Sequence, residues 1–134
     1  MAEGNPDVGT PFQKSLGLHW NVFDDGSGAV AIEMDIRDDL RGPAGSLEGG
    51  VVSTLADVAG ASAIGFSVGM VATEHLAISF LAPGREGPIR AIGTPLRIGR
   101  HDGVAEVRVV DLGKDSRLMA VAFVTVRILK DQIQ

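Results

Sequence analysis

The chain contains no cysteine, which excludes disulfides, thiolate nucleophiles and cysteine-held metal sites. Histidine is scarce as well. His19, His75 and His101 are scattered without ligand-like spacing, so no metal is expected. The opening Met1-Ala2-Glu3-Gly4-Asn5-Pro6-Asp7 is polar and lacks the basic-then-apolar order of a signal peptide, which points to a cytoplasmic protein. Basic runs interleaved with aromatics are also missing, and a net charge of −5 argues against nucleic acid as a partner. At 134 residues the chain fits one domain, 1–134, long enough to bury a core without staples, with residues 1–10 and 131–134 expected to be loose.

Charge is unevenly spread. Residues 1–84 carry 11 acids and 3 bases, a balance of −8, whereas 85–134 carry 6 acids and 9 bases, a balance of +3. Seven of those nine bases are arginines, the side chain best suited to phosphate and carboxylate groups. A solvated strand face explains this pattern, and so does an anionic ligand held at a sheet edge, for which Arg100 is the first candidate and Arg97 and Arg117 the next.

From Gly49 to Thr73 the residues are small, hydroxylic or apolar, and Asp57 is the only ionisable one apart from the chain's flanks. Apolar or small residues on every face predict a helix from about Leu47 to Phe66 that is buried all round, with Ser46 as its N-cap. An unpaired carboxylate in such a helix costs several kcal/mol, so Asp57 is expected either to bond Ser53, Thr54 or a partner residue, or to border a wet cleft open to ligand. The stretch is long enough to cross a bilayer, and Gly65 and Gly69 have the spacing of a membrane-helix contact. A central Asp, five glycines and the lack of flanking bases argue against a membrane role.

Turn signals divide the rest into strands. Asp24-Asp25-Gly26 separates Leu18–Phe23 from Ala29–Met34, Asp102-Gly103 separates Ile89–Arg100 from Val104–Val110, and Gly113-Lys114-Asp115-Ser116 precedes Leu118–Leu129. Ala105, Val107 and Val109 alternate with Glu106 and Arg108 as in a half-buried strand, while 118–124 is apolar on both faces, as in an interior strand. A short helix is expected near Pro11. The order of two strands, a long helix and about four strands, with no βαβ alternation, predicts an α+β domain: one long helix wrapped by an antiparallel sheet of about five to six strands. Gly65-Phe66-Ser67-Val68-Gly69 fits the G-x-S-x-G nucleophile pattern, but that pattern requires a strand before the serine and a helix after it, the reverse of the order here. Ser67 and Gly69 are expected to end the helix.

This order resembles the hotdog fold. The run Glu48-Gly49-Gly50-Val51-Val52-Ser53-Thr54-Leu55-Ala56-Asp57 resembles the helix start of PaaI-like acyl-CoA thioesterases, also 4-hydroxybenzoyl-CoA thioesterase-like, in which a His-Gly-Gly precedes an acidic residue nine positions on. Thr73, Leu76, Ile78, Phe80, Leu81 and Pro83 are similar to the strand that follows in that family, and Gly99-Arg100 with Asp115 and Ala120 to its last hairpin. The resemblance spans about residues 11–130. Two departures stand out: Glu48 occupies the histidine position, and Gly42 the position of an Asn or Gln whose side-chain amide is therefore missing. A smaller one is Ala61, where some members carry Ser or Thr.

The resemblance implies thioester hydrolysis of an acyl- or aryl-CoA, with coenzyme A as part of the substrate and no separate cofactor. Such chemistry needs donors for a developing oxyanion and a carboxylate that attacks or activates water. The Gly49 N–H at the helix start, where amides lack intrahelical partners, suits the first role and Asp57 the second, as nucleophile or general base. Glu48 either complements the helix dipole, orients water or, as a like charge beside Asp57, favours its protonated form. Gly49 and Asp57 lie eight residues apart, about 12 Å along one helix, so one carbonyl cannot touch both. Antiparallel helices across a twofold would bring one subunit's Gly49 beside its partner's Asp57, predicting a homodimer or homotetramer. Trp20 and His19 are expected either near an acyl pocket or in the core, and His75 as a strand or interface side chain. A hotdog module that binds acyl-CoA without turnover is the alternative, and an enoyl-CoA hydratase a third reading, weakened by the absent histidine.

Overall fold

The computed structural model describes residues 9–129. Two helices, α1 (Pro11–Ser15) and α2 (Gly49–Val68), accompany six strands: β1 (His19–Val22), β2 (Val30–Met34), β3 (Val71–Phe80), β4 (Ile89–Ile98), β5 (Asp102–Asp111) and β6 (Arg117–Ile128). They form a single antiparallel sheet in the order β1-β2-β4-β5-β6-β3. β3, the strand that follows α2, crosses to the far edge, so the helix lies over the sheet it interrupts. The expected architecture is observed, with six strands.

Contact between helix and sheet depends on missing side chains. A Cβ on Gly93 of β4 would lie 2.3 Å from the Ala59 carbonyl oxygen, and one on Gly60 would lie 2.6 Å from Val124 of β6. The helix backbone therefore rests directly on the sheet at mid-span, closer than any side chain at these two positions would permit. Leu55 and Ile64, on either side of this contact along the helix, are fully buried in the same core cluster as Val107, Val109, Val124 and Val126.

Several expectations need correction. α2 is not buried all round: Leu55, Ala56, Ala59 and Ala63 face the sheet, but Gly50, Thr54, Asp57, Ala61 and Gly65 form an open stripe along the opposite side. Small residues on both faces hide that asymmetry in the sequence. The N-cap is Glu48, not Ser46, and its side chain makes no capping bond; Ser46 instead accepts the Gly42 N–H through its carbonyl at 2.8 Å, closing the preceding turn. Gly69, with φ 100°, ends the helix after Val68. The β4–β5 turn falls at 99–101, and Asp102 and Gly103 already belong to β5, because Gly103 is needed under Ile64, whose Cδ1 would lie 2.9 Å from a Cβ there. β6 does lie inside the sheet, yet its outward side chain Phe123 is 51% exposed, so only one of its apolar faces is covered.

The expectation of looseness at 1–10 and 131–134 lies outside the described residues except at Gly9 and Thr10. Thr10 is the N-cap of α1: it accepts the Gln13 N–H, and the Gln13 side chain accepts the Thr10 N–H at 3.0 Å. The long apolar helix meets the length and composition of a membrane span, but eight of its residues are buried, mostly against this sheet.

Candidate active site

Asp57 lies midway along α2 on its open stripe, half-buried, and accepts a hydrogen bond of 2.5 Å from the Thr73 hydroxyl at the start of β3. The expected local partners are not used. Thr54 donates instead to the Gly50 carbonyl, 2.9 Å away, inside the helix. Thr73 sits just before an irregularity in the β3–β6 register, between Thr73 and His75, and its hydroxyl reaches the helix at Asp57.

Asp57 and Thr73 border a cleft of about 600 Å³ that follows the C-terminal half of α2. Its walls are mostly apolar, with Trp20, Phe66, Met70 and Val71 among them, and Trp20 donates from its indole N–H to Ser62, 3.2 Å away. A volume of this size lies in the range of small-molecule sites. Gly49 borders a different cleft, of about 360 Å³, between the helix start, Phe80 and the 81–84 loop. Neither the Gly49 nor the Gly50 N–H has a hydrogen-bond partner among the described residues, as expected for the first turn of a helix. The chain thus holds a carboxylate on one cleft and unsatisfied amide donors on another, about 12 Å away along the helix.

Glu48 is exposed at the N-cap, its N–H donating to the Leu40 carbonyl at 3.0 Å. A Cβ on Gly42 would lie 3.3 Å from the Glu48 Cγ, so two of the three positions where the chain departs from the family pattern are direct neighbours. The three candidate arginines do not converge. Arg97 pairs with Val104 at one end of β5 and Arg117 with Asp111 at the other, seven residues or roughly 23 Å apart. Arg100 is exposed in the 99–101 turn, and Arg97 forms an exposed ion pair with Asp102 at 3.5 Å. Arg97 and Arg100 share one end of the molecule, and Arg117 lies at the opposite end. His19 and His75 are exposed strand residues, whereas Trp20 is buried on the cleft wall.

Two features went unread in the sequence: the Thr73 hydroxyl bonded to Asp57, and Asp111, which lies away from both clefts. Asp111 is fully buried, and its carboxylate accepts backbone N–H groups from Arg85, Glu86, Gly87 and Gly113 at 2.8–3.2 Å. Burial disfavours its charged form and pushes its pKa upward, but these four donors outweigh burial and hold the carboxyl below its ordinary value. The signal was available, since the inward alternation Ala105, Val107, Val109 continues to 111 and places a carboxylate on the buried face.

A long helix laid on a six-stranded antiparallel sheet, with β3 crossing to its far edge, is the hotdog fold of the thioesterases. A sequence profile of the thioesterase superfamily matches residues 44–117, more than half of the chain, and the chain belongs to that superfamily. AziG of S. sahachiroi is 26% identical over 90% of this chain and 97% of its own, with a TM-score of 0.80. PaaI of E. coli, from the phenylacetic acid degradation operon, is 22% identical over 90% and 85%, with a TM-score of 0.81. The thioesterase HI1161 of Haemophilus influenzae is 24% identical over 88% and 84%, with a TM-score of 0.75. No curated protein sequence matches.

Proposed function

We propose that the protein is a cytoplasmic acyl-CoA thioesterase that releases the free acid and CoA from an acyl- or aryl-CoA, working as a homodimer or homotetramer. The observation that carries this reading is the division of the site: a half-buried carboxylate and partnerless helix-start amides lie on separate clefts of one protomer. A second copy with its α2 antiparallel would bring its Gly49 to this Asp57, and the stripe of Gly50, Thr54, Asp57, Ala61 and Gly65 has the small side chains that close helix approach requires.

In the assembled site the partner's helix-start N–H at Gly49 would receive the developing oxyanion, and Asp57 would attack the thioester carbon or take a proton from water. As nucleophile it forms a mixed anhydride and expels the CoA thiolate, and water then cleaves the anhydride. As general base it takes a proton from water as the water adds to the same carbon, and the tetrahedral intermediate then collapses by expelling the CoA thiolate. Thr73 holds one carboxylate oxygen, leaving the other for the reaction. The acyl group would occupy the Trp20 cleft, and Arg97 and Arg100 would meet CoA phosphates at the open hairpin end. Arg117 is too distant to join them.

The second reading, a module that binds acyl-CoA without efficient turnover, is favoured by one observation: Glu48 places negative charge at the helix start, beside a glycine at 42 that brings no amide. The two readings part in one experiment. Thiol release from short, medium, long and aryl acyl-CoAs is followed for the wild type and Asp57→Asn. Turnover lost in the variant supports the thioesterase. Calorimetric binding without turnover in either protein supports the module.

A further inference from the structure

The one fully buried charged side chain among the described residues lies in neither cleft. Asp111 ends β5 beneath the loop that joins β3 to β4, and it forms no ion pair among the described residues. Its Oδ2 accepts the Arg85 and Glu86 N–H groups at 2.9 and 3.1 Å, its Oδ1 those of Gly87 and Gly113 at 2.8 and 3.2 Å. The loop therefore closes around a single carboxylate. Gly113 allows the approach, since a Cβ there would lie 2.4 Å from the Gly87 carbonyl oxygen.

That loop reaches the helix start by two routes. Gly84, immediately before the clamped amides, accepts the Leu47 N–H at 2.9 Å, two residues before Gly49. The Arg85 carbonyl accepts both terminal nitrogens of Arg41 at 3.3 Å, and Arg41 also donates to the Gly45 carbonyl at 2.7 Å, in the turn that leads into α2. Pro83 and Gly84 also form a wall of the Gly49 cleft.

We infer that Asp111 is a positioning residue for the site: through the 84–87 loop and the Leu47 and Arg41 bonds, it fixes where the Gly49 N–H and the wall opposite it stand. This rests on the reading of Gly49 as the oxyanion donor. A carboxylate that only stabilises the fold would affect the melting point alone. A positioning carboxylate also governs local opening at residues 47–49 and the chemical step, which tolerates little misplacement.

The test uses the full chain with Asp111→Asn, which keeps the shape but replaces one acceptor by a donor facing N–H groups, and Arg41→Met, which leaves Asp111 intact and cuts the second route. Amide hydrogen exchange at 45–52 and 84–87 and the kcat and KM for the best-hydrolysed acyl-CoA are measured below both melting points. For Asp111→Asn, exchange at Leu47 and Glu48, whose N–H groups are bonded to Gly84 and Leu40, should quicken about tenfold along with 84–87, and kcat should fall about tenfold with KM within twofold. Arg41→Met should move the same quantities in the same direction by less. Faster exchange confined to 84–87, or an unchanged kcat in an active enzyme, overturns the inference. If the wild type turns over nothing, the thioesterase reading fails and the exchange at 47–48 decides this inference by itself. If Asp111→Asn does not fold, the exchange of Arg41→Met decides it.

Discussion

Gly93→Ala is the most direct test of how the helix is seated. The new methyl would lie 2.3 Å from the Ala59 carbonyl oxygen, 2.6 Å from its carbon and 3.0 Å from the Gly60 nitrogen. Every one of these atoms is backbone, so no rotamer change relieves the clash. Restoring an ordinary 3.4 Å contact requires α2 or β4 to move by 3.4 − 2.3, about 1 Å. Overpacking of this kind costs about 3 kcal/mol, near the upper end of its usual range, and Ala gains no helix propensity in return because the site is in a strand. For a chain of this size the melting point should drop by roughly 10 °C. The displaced helix segment lies two residues from Asp57, and a 1 Å misplacement can cost as much as ~100-fold in rate. The assays are urea unfolding and thiol release at a temperature where the variant is folded. A Gly93→Ala protein with the wild-type urea midpoint and wild-type turnover would refute the direct backbone contact and the placement of Asp57 that depends on it.

Three further outcomes follow from individual contacts. Thr73→Val removes the hydroxyl that donates to Asp57 at an exposed strand position; the urea midpoint should barely move while kcat falls about tenfold, and equal kcat values would remove Thr73 from the site. The Asp111 carboxyl has a lowered folded value, so its contribution is present above the ordinary carboxylate value of about 4 and lost as pH falls through the folded one. Wild-type stability should therefore decline across that acid window and Asp111→Asn, destabilised at neutral pH, should decline less steeply, as urea midpoints from pH 6 down to about 3 would reveal. Gly50→Ala meets nothing within 4 Å in the protomer and should gain up to about 0.5–1 kcal/mol of helix stability; in the proposed dimer the methyl lies on the contact stripe, so sedimentation should report a weaker dimer, and an unchanged one would place the interface elsewhere.

Most of the architecture was legible because it rests on local chemistry. Asp24-Asp25-Gly26 marked the β1–β2 turn, Pro11 the start of α1, and the absence of any βαβ alternation the antiparallel sheet. Asp57 stood out because it is a lone charge in an apolar run. The boundaries that failed depended on distant partners. Asp102-Gly103 has the composition of a turn but serves as strand because Ile64, on a helix far away in sequence, needs the space of Gly103. Ser46 has the composition of an N-cap, yet its carbonyl is taken by Gly42 and the helix begins after Glu48. The arginines were grouped by their nearness in sequence and separated by the length of a strand.

The same distinction explains why Asp57 was legible as an unusual charge and the hydrogen bonds around the two carboxylates were not. A charge among apolar residues is visible one residue at a time, whereas the Thr73 hydroxyl and the Asp111 clamp exist only once β3 has crossed the sheet and the 84–87 loop has folded over β5. The open face of α2 is hidden for a related reason. Glycine, alanine, serine and threonine allow a helix to lie close to a sheet on one side and, on the other, to present a surface on which a second helix can lie as closely. In this chain Gly60 meets β6 and Gly65 lies on the open stripe, although the two are chemically identical and only five residues apart. What separates them is the 100° turn per residue of the helix combined with the position of Gly93 beneath Ala59, and that position is fixed by the register of β4 against β2 and β5. The face that carries Asp57 is therefore set by strand pairing, so a change in β4 that leaves α2 untouched should alter the site as surely as a change in the helix.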